Sequence, residues 1–383
     1  MKAKRSRPYL RRAARHRSDG RARRLAGVGR GGGRGAFRGR ARRGAGRDLS
    51  LLPWNVILPV GFVLVVAALV AVGLSKPAAE TPGVSAAVAG LPSSLLSQGD
   101  SASAAKDISV TAEDLDRVPQ DQDIAVFDLG DDASSPTLGV TQTVALRRAL
   151  ADIADEAAVS VVLVDAGTGR GIAYDAAHEV YGASSYKAPF ALYVCENLVE
   201  TGRASLTDAL SGNGDGQTSG SVQGLIQNAL VWSSNEAYRT LRATYNGIAY
   251  QRWCESLGVE DAPADEGWFP TYSAKTSAKA WCEMAAYLEF HTDTSDWLKG
   301  LLGKTQVSFI RDGLKDTGAT VYNKAGWVAG EQDTSSTSDA ALIEMAGSRY
   351  VMSIMSGLPY SNASAAKVAA LARALFAARG ALA

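Results

Sequence analysis

Ser184 and Lys187 stand three residues apart, so on a helix their side chains share one face, a turn from each other. A serine hydroxyl is a weak nucleophile at neutral pH and needs a neighbouring base. A lysine partly desolvated between helix and sheet, its charged form disfavoured, can be that base. If Ser184 begins the helix, the dipole also favours the negative charge that develops during attack. Further on, Ser233 and Asn235 bring a second hydroxyl, able to relay a proton to a leaving amine, and a carboxamide, able to hold a substrate's own amide. Lys324 lies in the β-patterned run Val321 to Val328, two residues before Gly326. A cation on a strand edge can take a carboxylate, and the glycine lets a ligand approach the backbone. The peptide N–H of Trp327, with that of Ser184, would form an oxyanion hole. Taken singly, each group also reads as a helix cap, a turn or a surface charge. Together, in this order, they describe acyl transfer.

The elements that must position these groups follow from periodicity. Val144, Leu146, Leu150, Ile153 and Ala157 recur at helical spacing, and Val159 to Asp165 is a strand closed by Gly167-Thr168-Gly169. Gly171 to Tyr174 begins its hairpin partner, and a long helix is expected from Ser184 to Thr201. Helical patterns continue over Val222 to Leu230, Asn235 to Tyr245, Ala249 to Leu257 and within Ala278 to Phe290. Strands return over Val321 to Val328, Ala340 to Met345 and Arg349 to Ser356, and a last helix runs to Ala378 with Ser364 as its expected N-cap. Two strands, a helical block, three strands and a closing helix predict an α/β (α+β) domain. It would hold one antiparallel five-stranded sheet flanked by helices, with the first and last helices packed together on one face.

Charge divides the chain. Residues 1 to 47 carry 18 of the 40 Lys and Arg and one acid, Asp19; beyond Asp48 the chain holds 22 basic residues against 37 acids. Between these parts, Leu51 to Leu74 is an almost unbroken apolar run, long enough to span a bilayer, with Pro53 and Pro59 in its first turns and Trp54 at the expected interface. A cleaved signal peptide fits less well, since the run is too long and no clean small-residue cleavage site follows. The expected organisation is a disordered basic cytoplasmic arm (1–50), a transmembrane helix (51–75), a flexible extracytoplasmic linker (76–137) and a catalytic domain (138–383). The positive-inside rule puts that domain outside the cell membrane. Arg-Gly clusters in the arm suit anionic lipid, and no specific nucleic acid is expected. The linker is rich in Ala, Ser, Pro, Asp and Gly, although Asp116 to Leu129 holds a weak apolar pattern that would let it dock. Cys195, Cys254 and Cys282 allow one disulfide, with Cys254–Cys282 the first pairing to test, and no Cys/His spacing suggests a metal.

The S-x-x-K, S-x-N and K-x-G motifs, with Val161 to Gly169, Ser184 to Pro189 and Ser233 to Ala237 around them, resemble the class A β-lactamase and penicillin-binding superfamily. The likeness covers about residues 140 to 380. It implies a serine hydrolase without cofactor, acting on a β-lactam or a peptidoglycan peptide. Ser184 would be nucleophile, Lys187 general base, Ser233 proton shuttle, Asn235 substrate binder and Lys324 carboxylate binder. Three departures stand out. No E-x-x-L-N pattern lies between Asn235 and Lys324, where Glu260, Asp261, Asp265 and Glu266 are the acids in the corresponding stretch; Ala325 replaces a hydroxyl residue; and Ser234 replaces an aspartate. Without the deacylating glutamate the acyl-enzyme should be long-lived. The alternatives are a D-Ala-D-Ala carboxypeptidase and a non-catalytic cell-wall-binding pseudoenzyme.

Overall fold

A computed structural model describes residues 108–130, 136–259, 268–331 and 333–382. The basic arm, the apolar run Leu51 to Leu74, the first part of the linker and the acids Glu260, Asp261, Asp265 and Glu266 lie outside the described residues. Among those that are described, no helix is long and apolar enough to cross a membrane.

An inner strand of the sheet is apolar on both sides. In β2 (Val159–Asp165) all seven residues are buried. Alternate side chains point to opposite faces, so Val162 and Val164 enter one apolar layer while Val161 and Leu163 enter the other. β1 (Ala125–Asp128), β3 (Arg170–Tyr174), β8 (Thr320–Val328), β9 (Ser336–Met345) and β10 (Ser348–Ser356) complete an antiparallel sheet in the order β1-β3-β2-β10-β9-β8. The pairs β4 (Glu179–Tyr181) with β7 (Thr271–Ser273), and β5 (Ala209–Leu210) with β6 (Gly220–Ser221), stand apart from it.

Helices cover both faces. On one side pack α1 (Val140–Ala154), α8 (Phe309–Leu314) and α9 (Asn362–Ala378), so the first and last helices meet as expected. On the other lie α2 (Lys187–Leu192), α3 (Val222–Val231), α4 (Asn235–Tyr245), α5 (Ile248–Leu257), α6 (Ala274–Leu288) and α7 (Asp293–Leu302). α6 also reaches the sheet through a hydroxyl pair, Ser353 Oγ to Ser277 Oγ, at 3.0 Å.

Four sequence expectations need correction. The sheet has six strands, not five, because the linker does not run unstructured to residue 137: β1 pairs with β3, and Leu115, Val118, Phe127 and Leu129 are buried in the core. The weak apolar pattern there is enough, since each large side chain finds preformed apolar surface to cover. Lys279, almost wholly buried on α6, pairs with Asp116 at 2.5 Å and adds to this docking. The cysteines are all free and buried, so Cys254 and Cys282 are not paired. Finally, Ser361, not Ser364, caps the last helix, its Oγ accepting from the Ser364 N–H. Residue type alone does not separate the two, since both are serines and serine suits a helix N-cap.

Candidate active site

The chain leading to Ser184 turns sharply. Ala183 has φ +45°, a left-handed conformation that costs a residue with a Cβ about 1–2 kcal/mol. A 3₁₀ turn (Ala183–Tyr186) carries Ser184 and passes directly into α2, which continues as a π-helix over Tyr193–Val199. The turn is clamped from behind. Ser185 Oγ lies 2.5 Å from the Gly182 carbonyl and 2.6 Å from the Tyr272 hydroxyl.

This turn sits against β8, the open edge of the sheet. Gly326 makes the approach possible: a Cβ there would collide with the Gly182 carbonyl and lie 2.5 Å from the Ser185 nitrogen and 3.0 Å from that of Ser184. Gly326→Ala is therefore expected to push the Ser184 turn off the strand. Overpacking of this kind costs about 1–3 kcal/mol, and misplacing a reacting group by about 1 Å costs about 100-fold in rate. Thermal unfolding and the rate of labelling by a fluorescent penicillin measure the two effects, and a variant that keeps both would contradict this packing.

Lys187 and Lys324 approach each other from opposite walls. Lys187 Nζ on α2 donates to the Ser233 carbonyl at 2.6 Å and to Asn235 Oδ1 at 2.7 Å, with Ser233 Oγ at 3.3 Å. Lys324 Nζ on β8 donates to the same Ser233 Oγ at 3.1 Å and to the Ala325 carbonyl at 2.6 Å. Ser233 bridges them from the turn between α3 and α4, at φ +56°. Its neighbour Ser234 does the capping, accepting from the Ala237 N–H at 3.1 Å, which leaves the Ser233 hydroxyl to the cleft. The sequence-predicted residues are thus brought together: Ser184, Lys187, Ser233, Asn235, Lys324 and Gly326 share one cleft. Trp327 follows on the edge strand, its ring 5.2 Å from Lys324 Nζ.

Both lysine residues are almost wholly buried. Burial, reinforced by the charge of Lys324 and opposed by Glu236, brings the Lys187 pKa down to about 6. The rings of Phe269 and Tyr238, 5.5 and 5.8 Å from its Nζ, line that dry environment. Burial also lowers Lys324 to about 7, opposed by Asp339. A neutral Lys187 has two N–H groups, and the Ser233 carbonyl and Asn235 Oδ1 occupy them. Its lone pair is left to accept a proton. Lys324, when charged, has a third N–H beyond its two protein partners.

Sequence reasoning missed Asp339, Asn323, Tyr238 and Phe269. Asp339 lies wholly buried on β9 opposite Ala325. It accepts from Asn323 Nδ2 (2.8 Å), Ser308 Oγ (3.1 Å) and the Ile310 N–H (3.0 Å). Burial raises its pKa to about 6 despite those bonds. Asn323 and Asp339 precede Lys324 and Ala340 in apolar strands, so polar residues at interior positions were the available signal. Ala325, the departure from the family motif, is fully buried in the apolar layer against α8 and α9.

The arrangement has relatives. A computed comparison of folds aligns this chain with PBP-A at TM-score 0.54 and 18% identity, over 64% of this chain and 99% of that one. A β-lactamase of Chitinophaga pinensis aligns at TM-score 0.52 and 18% identity, over 61% and 97%. One of Sphaerobacter thermophilus aligns at 0.52 and 19%, over 64% and 98%. These likenesses show the fold. A search of curated protein sequences found no match. The model of the Beta-lactamase enzyme family matches residues 145–378. That match spans more than half of the chain and includes every residue brought together in the cleft, and the chain accordingly belongs to the Beta-lactamase enzyme family.

Proposed function

We propose that the protein is a serine hydrolase acylated on Ser184 by β-lactams or related amides, with slow release of the acyl group. The observation that carries this reading is the convergence of two desolvated lysines on one hydroxyl, Ser233, beside the turn that holds Ser184. In the acylation step neutral Lys187 takes the Ser184 proton as Oγ bonds to the substrate carbonyl carbon. The oxyanion accepts hydrogen bonds from the N–H groups of Ser184 and Trp327. When the C–N bond breaks, the Ser233 hydroxyl gives its proton to the departing nitrogen and is reprotonated through the flanking lysines. Asn235 holds the acyl-side amide, and the third N–H of Lys324 takes the substrate carboxylate.

Slow release is supported by the missing E-x-x-L-N pattern. Among the described residues, the acid whose charge bears on Lys187 is Glu236. It accepts from Ser234 Oγ at 3.0 Å at the exposed start of α4. A variant of PBP-A has been captured as an acyl-enzyme with penicillin G, which makes a stable adduct a reasonable outcome on this fold. The natural substrate of such an enzyme would be a D-Ala-D-Ala peptide or another wall fragment. From the sequence alone we extend the reading to a single-pass protein tethered through Leu51 to Leu74, with its basic arm against anionic lipid and the catalytic domain facing the wall.

Intact-protein mass spectrometry after exposure to benzylpenicillin tests the proposal. One added penicillin mass that persists for many minutes is expected. Rapid turnover without an adduct would instead assign an efficient β-lactamase. No adduct with any β-lactam or D-Ala-D-Ala peptide would leave a wall-binding module without catalysis.

A further inference from the structure

Among the described residues, Arg239 is a cation with no hydrogen-bond or ion-pair partner, on the helix that carries Asn235. It lies on α4 one turn beyond Asn235, so the two side chains share a face of the helix. Its guanidinium sits over the Trp268 ring at 5.7 Å, and the next residue, Phe269, places its ring 5.5 Å from Lys187 Nζ. On its other side the guanidinium abuts the backbone of Gly216, which has φ +67°. Among the described residues Arg239 makes no hydrogen bond and no ion pair, and its Nε–H is buried without an acceptor. Glu236, one turn back, is near enough to be influenced by its charge, but its carboxylate is held by Ser234. Arg239 also bears on Lys187, whose ammonium form it disfavours, and on Tyr181, three residues before the nucleophile.

A guanidinium placed between a ring and a stretch of backbone, with donors unspent among the described residues, can receive a planar anion. Lys324 already offers the position for the carboxylate on the leaving side of the scissile bond. Arg239 lies on α4 one turn beyond Asn235, the residue assigned above to the acyl-side amide. Resting on the acyl-enzyme reading above, we propose that Arg239 binds a second carboxylate, carried by the acyl portion of the substrate. The preferred acyl donor would then be an amide or β-lactam with an acidic side chain, such as a peptide whose acyl arm bears a free carboxylate.

The test is a matched pair of penicillins, benzylpenicillin and its α-carboxy derivative, whose second-order acylation constants are measured for the full-length protein. The ratio of the α-carboxy compound to the plain one is expected to fall about ten-fold or more in Arg239→Gln, and to recover in part in Arg239→Lys. A general disturbance of folding would slow both compounds and leave the ratio where it was. An unchanged ratio in Arg239→Gln, with adducts still formed, overturns the second carboxylate site alone. Failure of both compounds to acylate the unaltered protein would sink the acyl-enzyme reading itself, and this inference with it.

Discussion

Ser184→Ala should form no covalent adduct with any β-lactam, with acylation falling by about 10⁵-fold or more, below the limit of mass-spectrometric detection. The effect is large because no other group stands in the nucleophile's place. Ser185, the adjacent hydroxyl, is committed behind the turn to the Gly182 carbonyl and the Tyr272 hydroxyl. Ser233 is across the cleft between the two lysines. The substitution removes one oxygen at a half-buried position, so the fold and the binding groups remain. Non-covalent binding of the ligand by Ser184→Ala is therefore expected to survive. A covalent adduct retained in this variant, mapped to a different residue, would remove Ser184 from the mechanism.

Lys187→Met should lower the acylation rate by about 10³-fold, the usual contribution of a positioned general base, and should alter the pH dependence. In the unaltered protein the rate is expected to rise as pH passes through about 6, because Lys187 must lose its proton to act as a base. It should decline above about 7, where Lys324 loses the charge that binds the carboxylate. The optimum is thus narrow and near neutrality, and the two midpoints belong to a coupled pair of lysines. In Lys187→Met the rising limb should vanish, while the falling limb, set by Lys324, persists. A substrate without a carboxylate should show the rising limb only. Rates measured from pH 5 to 9 decide this. A profile that is flat, or one that keeps its acid limb in Lys187→Met, would contradict Lys187 as the base.

Much of the fold was legible because its elements carry strong local patterns. β2 reads as a strand from Val-Ser-Val-Val-Leu-Val alone, and α4 and α5 were placed within a residue of their observed limits. The short pieces escaped. β1, β4 and β7 have three or four residues each, too few for a period to show, and they exist because a neighbour completes their hydrogen bonds. The loss of the expected disulfide has the same origin. Spacing cannot tell whether two cysteines meet, and here all three are absorbed separately into apolar packing.

For the site, residue type and order along the chain were sufficient to gather Ser184, Lys187, Ser233, Asn235 and Lys324 into one candidate set, and folding brings them together. Their protonation was not readable there. A lysine is charged in water, and what brings Lys187 to about 6 and Lys324 to about 7 is the removal of water by walls far away in sequence. Phe269 and Asp339 come to the site from segments without any motif, joined to it only when α4 and β8 close on the turn of Ser184. Chemical identity is a local property of the chain. Solvation, charge coupling and the pairing of distant groups arise only from folding, because each depends on which surfaces exclude water together.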